Sequence, residues 1–284
     1  MKTLHKTAIS AVAAGLLSGL AYTPAFAADE PEASPITANL TVVNDYRYRG
    51  ISQSNFKPAI QGGFDYAHES GFYIGNWNSS ISWISDAMNN PYLSSSNAVS
   101  SSIEMDFYAG VKKEFIGEGF ASDFGVLQYY YPTSGIPNGY VNPNTTELYA
   151  AQNFTFGSVT GFAKFSYAVT DTFGNYNSKG SYYPDLTLNY DTGIWGLTAN
   201  AHVGYQYIAG TYGPTDSRAN TNLYSYKDWK AGFTKDFGGG LSAAIAYVGT
   251  NAKTRYNGVP GTYLSPQGKD LGRSGGLISL TKTF

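Results

Sequence analysis

The chain has 284 residues, with 18 Lys and Arg, 20 Asp and Glu, a net charge of −2 and no cysteine. That balance excludes a basic footprint for nucleic acid, and the missing cysteines exclude disulfide staples and thiol chemistry. Charged residues are 13% of the chain, well below a soluble domain's usual share, while aromatics reach 16% and glycines number 33.

The first predicted element is a secretory signal peptide over residues 1–27. Lys2 and Lys6 precede a short apolar run, 8–21, and Ala25-Phe26-Ala27 has the small residues of a cleavage site. Residues 28–35 are then expected to form a short periplasmic tail, and 36–284 one barrel domain. No later run reaches the roughly 18 apolar residues that a spanning helix needs.

From residue 36 onward the sequence alternates with a period of two, the signature of strands with one apolar face. Strand one sets Ile36, Ala38, Leu40, Val42, Tyr46 and Tyr48 against Thr37, Asn39, Thr41, Asp45, Arg47 and Arg49. Strand two sets Ile60, Phe64 and Tyr66 against Gln61 and Asp65, and strand three Tyr73, Trp77, Ile81 and Trp83 against Asn76, Asn78, Ser80 and Ser82. Strand four sets Ile103, Met105, Phe107 and Val111 against Glu104, Asp106, Tyr108 and Lys112. Strand five, near 124–131, is apolar on both faces and cannot be oriented. The alternation resumes with Leu148 and Phe154 against Glu147, then Phe165 and Tyr167 against Lys164, and Leu186 and Leu188 against Asp185. It continues with Leu197, Val203 and Tyr205 against His202, Trp229 and Phe233 against Asp228 and Lys230, and Leu241 and Ile245 against small residues. It ends with Ile278, Leu280 and Phe284.

Connections between these segments alternate long and short. The long ones lie near 49–58, 85–101, 131–145, 171–181, 209–222 and 250–274; tight Gly-containing turns separate them. That order, with an even strand count, is expected of an all-β, antiparallel up-and-down transmembrane β-barrel of about 12 strands. Its turns would be periplasmic and its long loops extracellular.

Polarity decides which face is outside. Charges that would fall on the apolar face, such as Asp123, Lys113, Lys227, Lys235 and Lys282, lie near strand ends, where a lysine can snorkel. The other face gathers Asp45, Arg47, Arg49, Asp65, Glu104, Asp106, Lys112, Glu147, Lys164, Asp185, His202, Asp228, Lys230 and Asp236. These are expected to line a wet lumen or its constriction, with Tyr46, Tyr48, Trp83, Trp195, Tyr205, Tyr207 and Trp229 in interfacial belts. Eight acids against five Lys and Arg on that face point to a cation preference.

The segments YRYRGISQS (46–54) and LISLTKTF (277–284), with the spacing of YPT, ELYAA and YKDWKAGF between them, resemble the TorF-type porins of proteobacterial outer membranes. The resemblance spans nearly the whole mature chain and implies an outer-membrane location and a porin label, with no substrate and no site residues. Phe284, with Ile278 and Leu280 upstream, resembles the assembly signal read by the barrel assembly machinery; Lys282 departs from that pattern. Outer-membrane lipid, lipopolysaccharide and small hydrophilic solutes are the other partners expected.

No phosphate loop or metal-spaced His/Cys set is present, so neither a cofactor nor a metal is expected. A barrel enzyme would need a nucleophile and base, and only His68 and His202 follow the leader. His68 reads as a solvated rim residue and His202 as a wall hydrogen-bonder. Two functions fit: a passive channel for small hydrophilic solutes or ions, or a non-conducting barrel whose long loops bind a partner or serve the envelope.

Overall fold

The computed structural model describes residues 34–89, 99–256, 259–260 and 263–284. The expected signal peptide, nearly all of the expected periplasmic tail, and parts of the loops near 85–101 and 250–274 lie outside them. Twelve antiparallel strands close into one barrel. They are β1 (Ile36–Val43), β2 (Ala59–Ala67), β3 (Phe72–Ser80), β4 (Ile103–Gly117), β5 (Phe120–Tyr130) and β6 (Thr145–Phe156). The circuit continues with β7 (Val159–Ala168), β8 (Tyr182–Asp191), β9 (Leu197–Gln206), β10 (Tyr226–Asp236), β11 (Leu241–Thr250) and β12 (Gly275–Thr283). Each strand pairs with its sequence neighbours, and β1 closes the ring against β12 from Asn39↔Thr283 to Val43↔Ser279. Closure leaves no open edge, which is what lets a sheet cross hydrocarbon with its backbone satisfied. Both ends meet at the short-turn rim, where the Phe284 amide donates to the Ala38 carbonyl at 2.9 Å.

The wall carries aliphatic and phenyl side chains outward. Leu40, Ile60, Phe64, Phe107, Phe124, Leu148, Val203, Ile245 and Ile278 are all exposed on the outer surface. No charge stands at mid-strand on this face among the described residues, where a Lys or Arg would cost about 2–4 kcal/mol. Lys235 and Lys282 bend toward the short-turn rim, donating to the Trp195 carbonyl and, at 2.5 Å, to the Gly239 carbonyl. Outward polar side chains pair with each other: Ser122 Oγ donates to Gln152 Oε1 at 2.7 Å and Thr146 Oγ1 to Gln128 Oε1 at 2.6 Å.

Three sequence expectations change. β3 runs with the opposite face outward: Phe72 and Ile74 are exposed, whereas Tyr73 and Trp77 are buried inside the barrel. Tyrosine and tryptophan have an apolar body and a polar tip, so they fit a lumen with carboxylate acceptors as well as a lipid interface. β5 turns Phe124, Val126 and Tyr130 outward and Asp123, Leu127 and Tyr129 inward, so Asp123 is not an interfacial charge. β1 stops at Val43, so Tyr46 and Tyr48 belong to no outer belt; Trp83 likewise sits in a short helix, α1 (Trp83–Met88), within an outer loop.

Candidate functional site

Beyond Val43 the chain turns at Asn44-Asp45, a turn-forming pair, and folds into the barrel. Arg47–Tyr48 pairs with Ile51–Ser52 as a small hairpin. Its tip residues Arg49 and Gly50 have φ of 45° and 80°, the positive pair that a type I′ turn requires. A Cβ on Gly50 would lie 2.4 Å from Thr250 Cγ2, so the tip fits only without a side chain there. Phe56, further along, also has positive φ, at 61°, which is rare for a bulky residue. It lies under the Arg47 and Arg273 guanidiniums, 5.0 and 4.3 Å from its ring centroid.

The hairpin is fastened to the barrel on all sides. Arg47 Nε donates to Asp45 Oδ2 at 2.5 Å, and its Nη1 donates to the Gly50, Leu271 and Arg273 carbonyls. Arg49 reaches across the lumen to Glu147 of β6 at 2.7 Å and Gln206 of β9 at 2.5 Å. Its guanidinium also stacks on the Tyr48 and Tyr183 rings, at 4.8 and 4.1 Å. Tyr46, only 2% exposed, donates to Glu104 Oε1 at 2.5 Å. The outer loops close over the top, with Ser82 and Trp83 amides on the Gln53 carbonyl and the Ser52 amide on the Leu271 carbonyl.

Around the hairpin the inner wall repeats one device. A tyrosine lies flat over a glycine of the next strand and puts its hydroxyl on a carboxylate one strand further. Tyr108 covers Gly75, where an added Cβ would lie 2.4 Å from its ring, and donates to Asp65 at 2.6 Å. Tyr183 covers Gly204 and donates to both Asp228 oxygens, at 3.1 and 2.9 Å. Tyr73 covers Gly110 and donates to Asp123 at 2.6 Å; Tyr149 covers Gly125 and meets the Tyr73 hydroxyl. Composition showed many tyrosines and glycines but not their pairing, and that pairing is what buries carboxylates without a cation beside each.

All fourteen residues expected to line the lumen stand on the inner side, but not in one constriction. Asp65, Glu104, Asp106 and Glu147 are buried in the β2–β6 wall, Asp106 completely so and against Glu104. Lys112 lies on the same face of β4, beyond Tyr108 toward the short turns. Asp45, Arg47 and Arg49 belong to the hairpin. Lys164, His202, Asp228 and Lys230 gather on β7, β9 and β10. There His202 Nδ1 lies 2.9 Å from Thr187 Oγ1, and Nε2 is 3.1 Å from Asp228 Oδ1 and 2.9 Å from the Tyr183 hydroxyl, a braced cluster. Asp185 and Asp236 also face inward. Ile278, Leu280 and Phe284 are exposed on the outer face.

Three cavities open inside the barrel among the described residues. An outer cavity of about 260 Å³ lies beneath the long loops, lined by aromatic and aliphatic residues with Tyr48 at its floor. A middle chamber of about 80 Å³ is lined by Tyr48, Arg49, Lys164, Asp185, His202, Asp228 and Lys230. An inner one of about 60 Å³ is lined by Asp45, Arg47, Lys230, Ala244, Ala246 and Ser279. Tyr48 borders the first two; Arg47, Lys230 and Leu277 border the last two. The wet lumen expected from the sequence is narrowed by the hairpin and the tyrosine wall.

A closed twelve-strand barrel with a lipid-compatible outer face and a plugged, charged interior defines a protein of the transmembrane β-barrel class. Within that class the chain belongs to a family described as bacterial protein of unknown function (Gcw_chp), whose model matches residues 27–284. No curated protein matches it. Solved structures with similar folds include a KdgM porin in complex with disordered oligogalacturonate, with a TM-score of 0.46 at 8% identity over 88% of this chain and 97% of that one. A Pseudomonas aeruginosa FadL homologue has a TM-score of 0.43 at 11% identity, over 88% of this chain and 90% of that chain. OprD from Pseudomonas aeruginosa has 0.39 at 12% identity, over 89% and 66%. At such identities the likeness concerns the fold alone.

Proposed function

We propose that the protein is an outer-membrane channel for small hydrophilic solutes or ions, constricted by the in-folded hairpin. The TorF-type resemblance and a secretory leader at 1–27 belong to the same proposal, as do lipopolysaccharide as surrounding lipid and delivery by the barrel assembly machinery. The observation that carries it is three cavities inside the barrel with hairpin side chains at both boundaries: Tyr48 between the first two, and Arg47, with Lys230 and Leu277 of the wall, between the last two. Twelve strands enclose more than the filled interior of an eight-stranded barrel and less than a sixteen-stranded bore. Such a barrel can hold a narrow path once a hairpin takes up part of its section. A channel that selects needs side chains at close quarters in its narrowest part. Arg47, Tyr48 and Arg49 provide them.

Tyr48 borders both the outer cavity and the middle chamber and carries no charge. Its ring packs against Tyr129 and Phe173, and its hydroxyl donates to Tyr129 at 2.8 Å. Planar-bilayer recording of the refolded wild type should show small unitary steps, and Tyr48→Ala should raise their conductance severalfold. Silence in both proteins, with each still folded as a barrel, would favour the second reading: a non-conducting barrel that acts through its loops. That reading draws on the same occlusion, because a hairpin so fully bonded also suits a permanently closed wall.

A further inference from the structure

We propose that the outer cavity is a binding site for a small neutral aromatic molecule bearing one hydroxyl or carbonyl group. The inference goes beyond the channel reading and stands whether or not the barrel conducts. The cavity's open volume is about 260 Å³, and an apolar cavity of about 150 Å³ is enough to hold benzene. A substituted single ring therefore fits. The lining presents its own rings as edge-to-face pairs: Trp83 with Tyr131, Tyr48 with Phe173 and Tyr226 with Tyr263, at centroid separations of 5.4, 5.3 and 5.3 Å. A further ring entering among them meets the faces and edges against which aromatic groups pack best.

Tyr226 supplies the polar contact. It opens β10 and is only 5% exposed, yet its hydroxyl makes no hydrogen bond to a described residue and is not closed off by protein. Of the three cavities Tyr226 borders the outer one alone, so that oxygen turns to it. A phenol hydroxyl so enclosed gains a partner when a ligand oxygen reaches it, which fixes one end of an otherwise apolar ring. Other tyrosines of the lining are committed elsewhere: Tyr48 donates to Tyr129, Tyr131 to Glu104 and Tyr263 to the Tyr224 carbonyl, each at 2.8 Å. The lining holds one acid and one base, Asp86 and Arg218, so it favours an ion of neither sign. An ion would also lose its hydration among these rings.

The test is calorimetric titration of the folded barrel in lipid nanodiscs, with empty nanodiscs as the blank. Two probes of like shape are compared, acetophenone and ethylbenzene, which lacks the carbonyl. Both should bind saturably, and Tyr226→Phe should weaken acetophenone roughly three- to tenfold while leaving ethylbenzene unchanged. Ala87→Trp, at an exposed position of α1 on the lining, puts an indole into the open space and should abolish saturable binding of both. Heat-modifiable migration on gels checks that each variant is a folded barrel. No saturable binding to wild type, or binding unaltered by Ala87→Trp, would overturn the site. Undiminished acetophenone affinity in Tyr226→Phe would overturn the oxygen contact, and tighter binding of 1-phenylethylammonium than of acetophenone would overturn the neutral class. None of these readouts needs a current, so the site and the channel fail or stand separately.

Discussion

The two sides of the barrel interior are built on opposite principles. From β2 to β6 the inner positions hold Asp65, Tyr73, Trp77, Glu104, Tyr108, Tyr129, Glu147 and Tyr149, which pack with Val43 and Tyr46 into a buried aromatic cluster. From β10 round to β1, beyond Lys230 and Leu277, the inner positions Thr234, Ala244, Ala246, Ser279 and Thr41 are small groups that border the inner cavity. One wall is a solid that buries its carboxylates under tyrosine; the other is a recess. A barrel this wide can be closed on one side and permissive on the other. The hairpin rests across both, bonded to β6 by Arg49 and bordering the recess with Asp45 and Arg47.

If that division holds, substitutions on the solid side should cost stability and those on the recess should cost permeation. The largest expected effect is at the Arg49–Glu147 contact, where both side chains are nearly inaccessible. Glu147→Ala would strand a buried guanidinium, a loss of about 3–5 kcal/mol. It should appear as an earlier urea midpoint for the barrel in lipid vesicles and as faster proteolysis near residues 47–52. An unchanged midpoint would mean that the hairpin does not depend on its contact with the solid side.

Next in size is Gly75→Val. The Tyr108 ring and Asp65 Oδ1 would stand 2.4 and 2.6 Å from the new Cβ, so the tyrosine must leave its carboxylate. Overpacking of this kind costs about 1–3 kcal/mol, read from the same unfolding curves. The double variant Gly75→Val/Tyr108→Ala should recover part of the loss, because removing the ring relieves the clash. Asp106→Asn should go the other way. Asp106 has no hydrogen-bond partner beyond its contact with Glu104, and two abutting buried carboxyls repel when both ionise. Removing one charge is expected to leave stability equal or raise it by about 1 kcal/mol.

The barrel was readable from the chain because lipid imposes a simple rule on it. Aliphatic side chains recur at every second position for the whole circuit, as at Leu186 and Leu188 or Ile278 and Leu280, and long and short connections alternate. The lumen does not obey so simple a rule. Tyr73 and Trp77 satisfy a lipid interface or a carboxylate-lined interior equally well, so the orientation of β3 was hidden; Phe72 and Ile74, aliphatic or phenyl only, carried the true signal. The alternation at 46–49 is real, but it belongs to a hairpin rather than to β1, and only Asn44-Asp45 marks the turn. That Arg49 rather than Gly or Asn would take a positive φ at the tip follows from Glu147, Gln206 and Tyr183, contacts from distant strands that no local pattern displays. The tyrosine-over-glycine device needs the register of neighbouring strands before Gly75 and Tyr108 can be seen as partners.

The smallest expected effect on stability is at Ala246, and it discriminates best between a recess and a merely loose wall. Ala246 faces inward on β11 and borders the inner cavity with Ala244 and Ser279. Ala246→Val adds two methyl groups where about 60 Å³ is open, so they displace no neighbour in the barrel's core. The unfolding midpoint should stay within about 0.5 kcal/mol of wild type. Conductance of the Tyr48→Ala background should nonetheless fall, because with the outer restriction removed the inner cavity becomes the narrowest part of the path. A matching substitution on the solid side, Leu127→Phe, should behave in reverse, costing stability while leaving that conductance unchanged. If instead Ala246→Val leaves conductance unaltered on an open background, solute does not pass along the β10–β1 side, and the inner cavity is a packing defect rather than a passage.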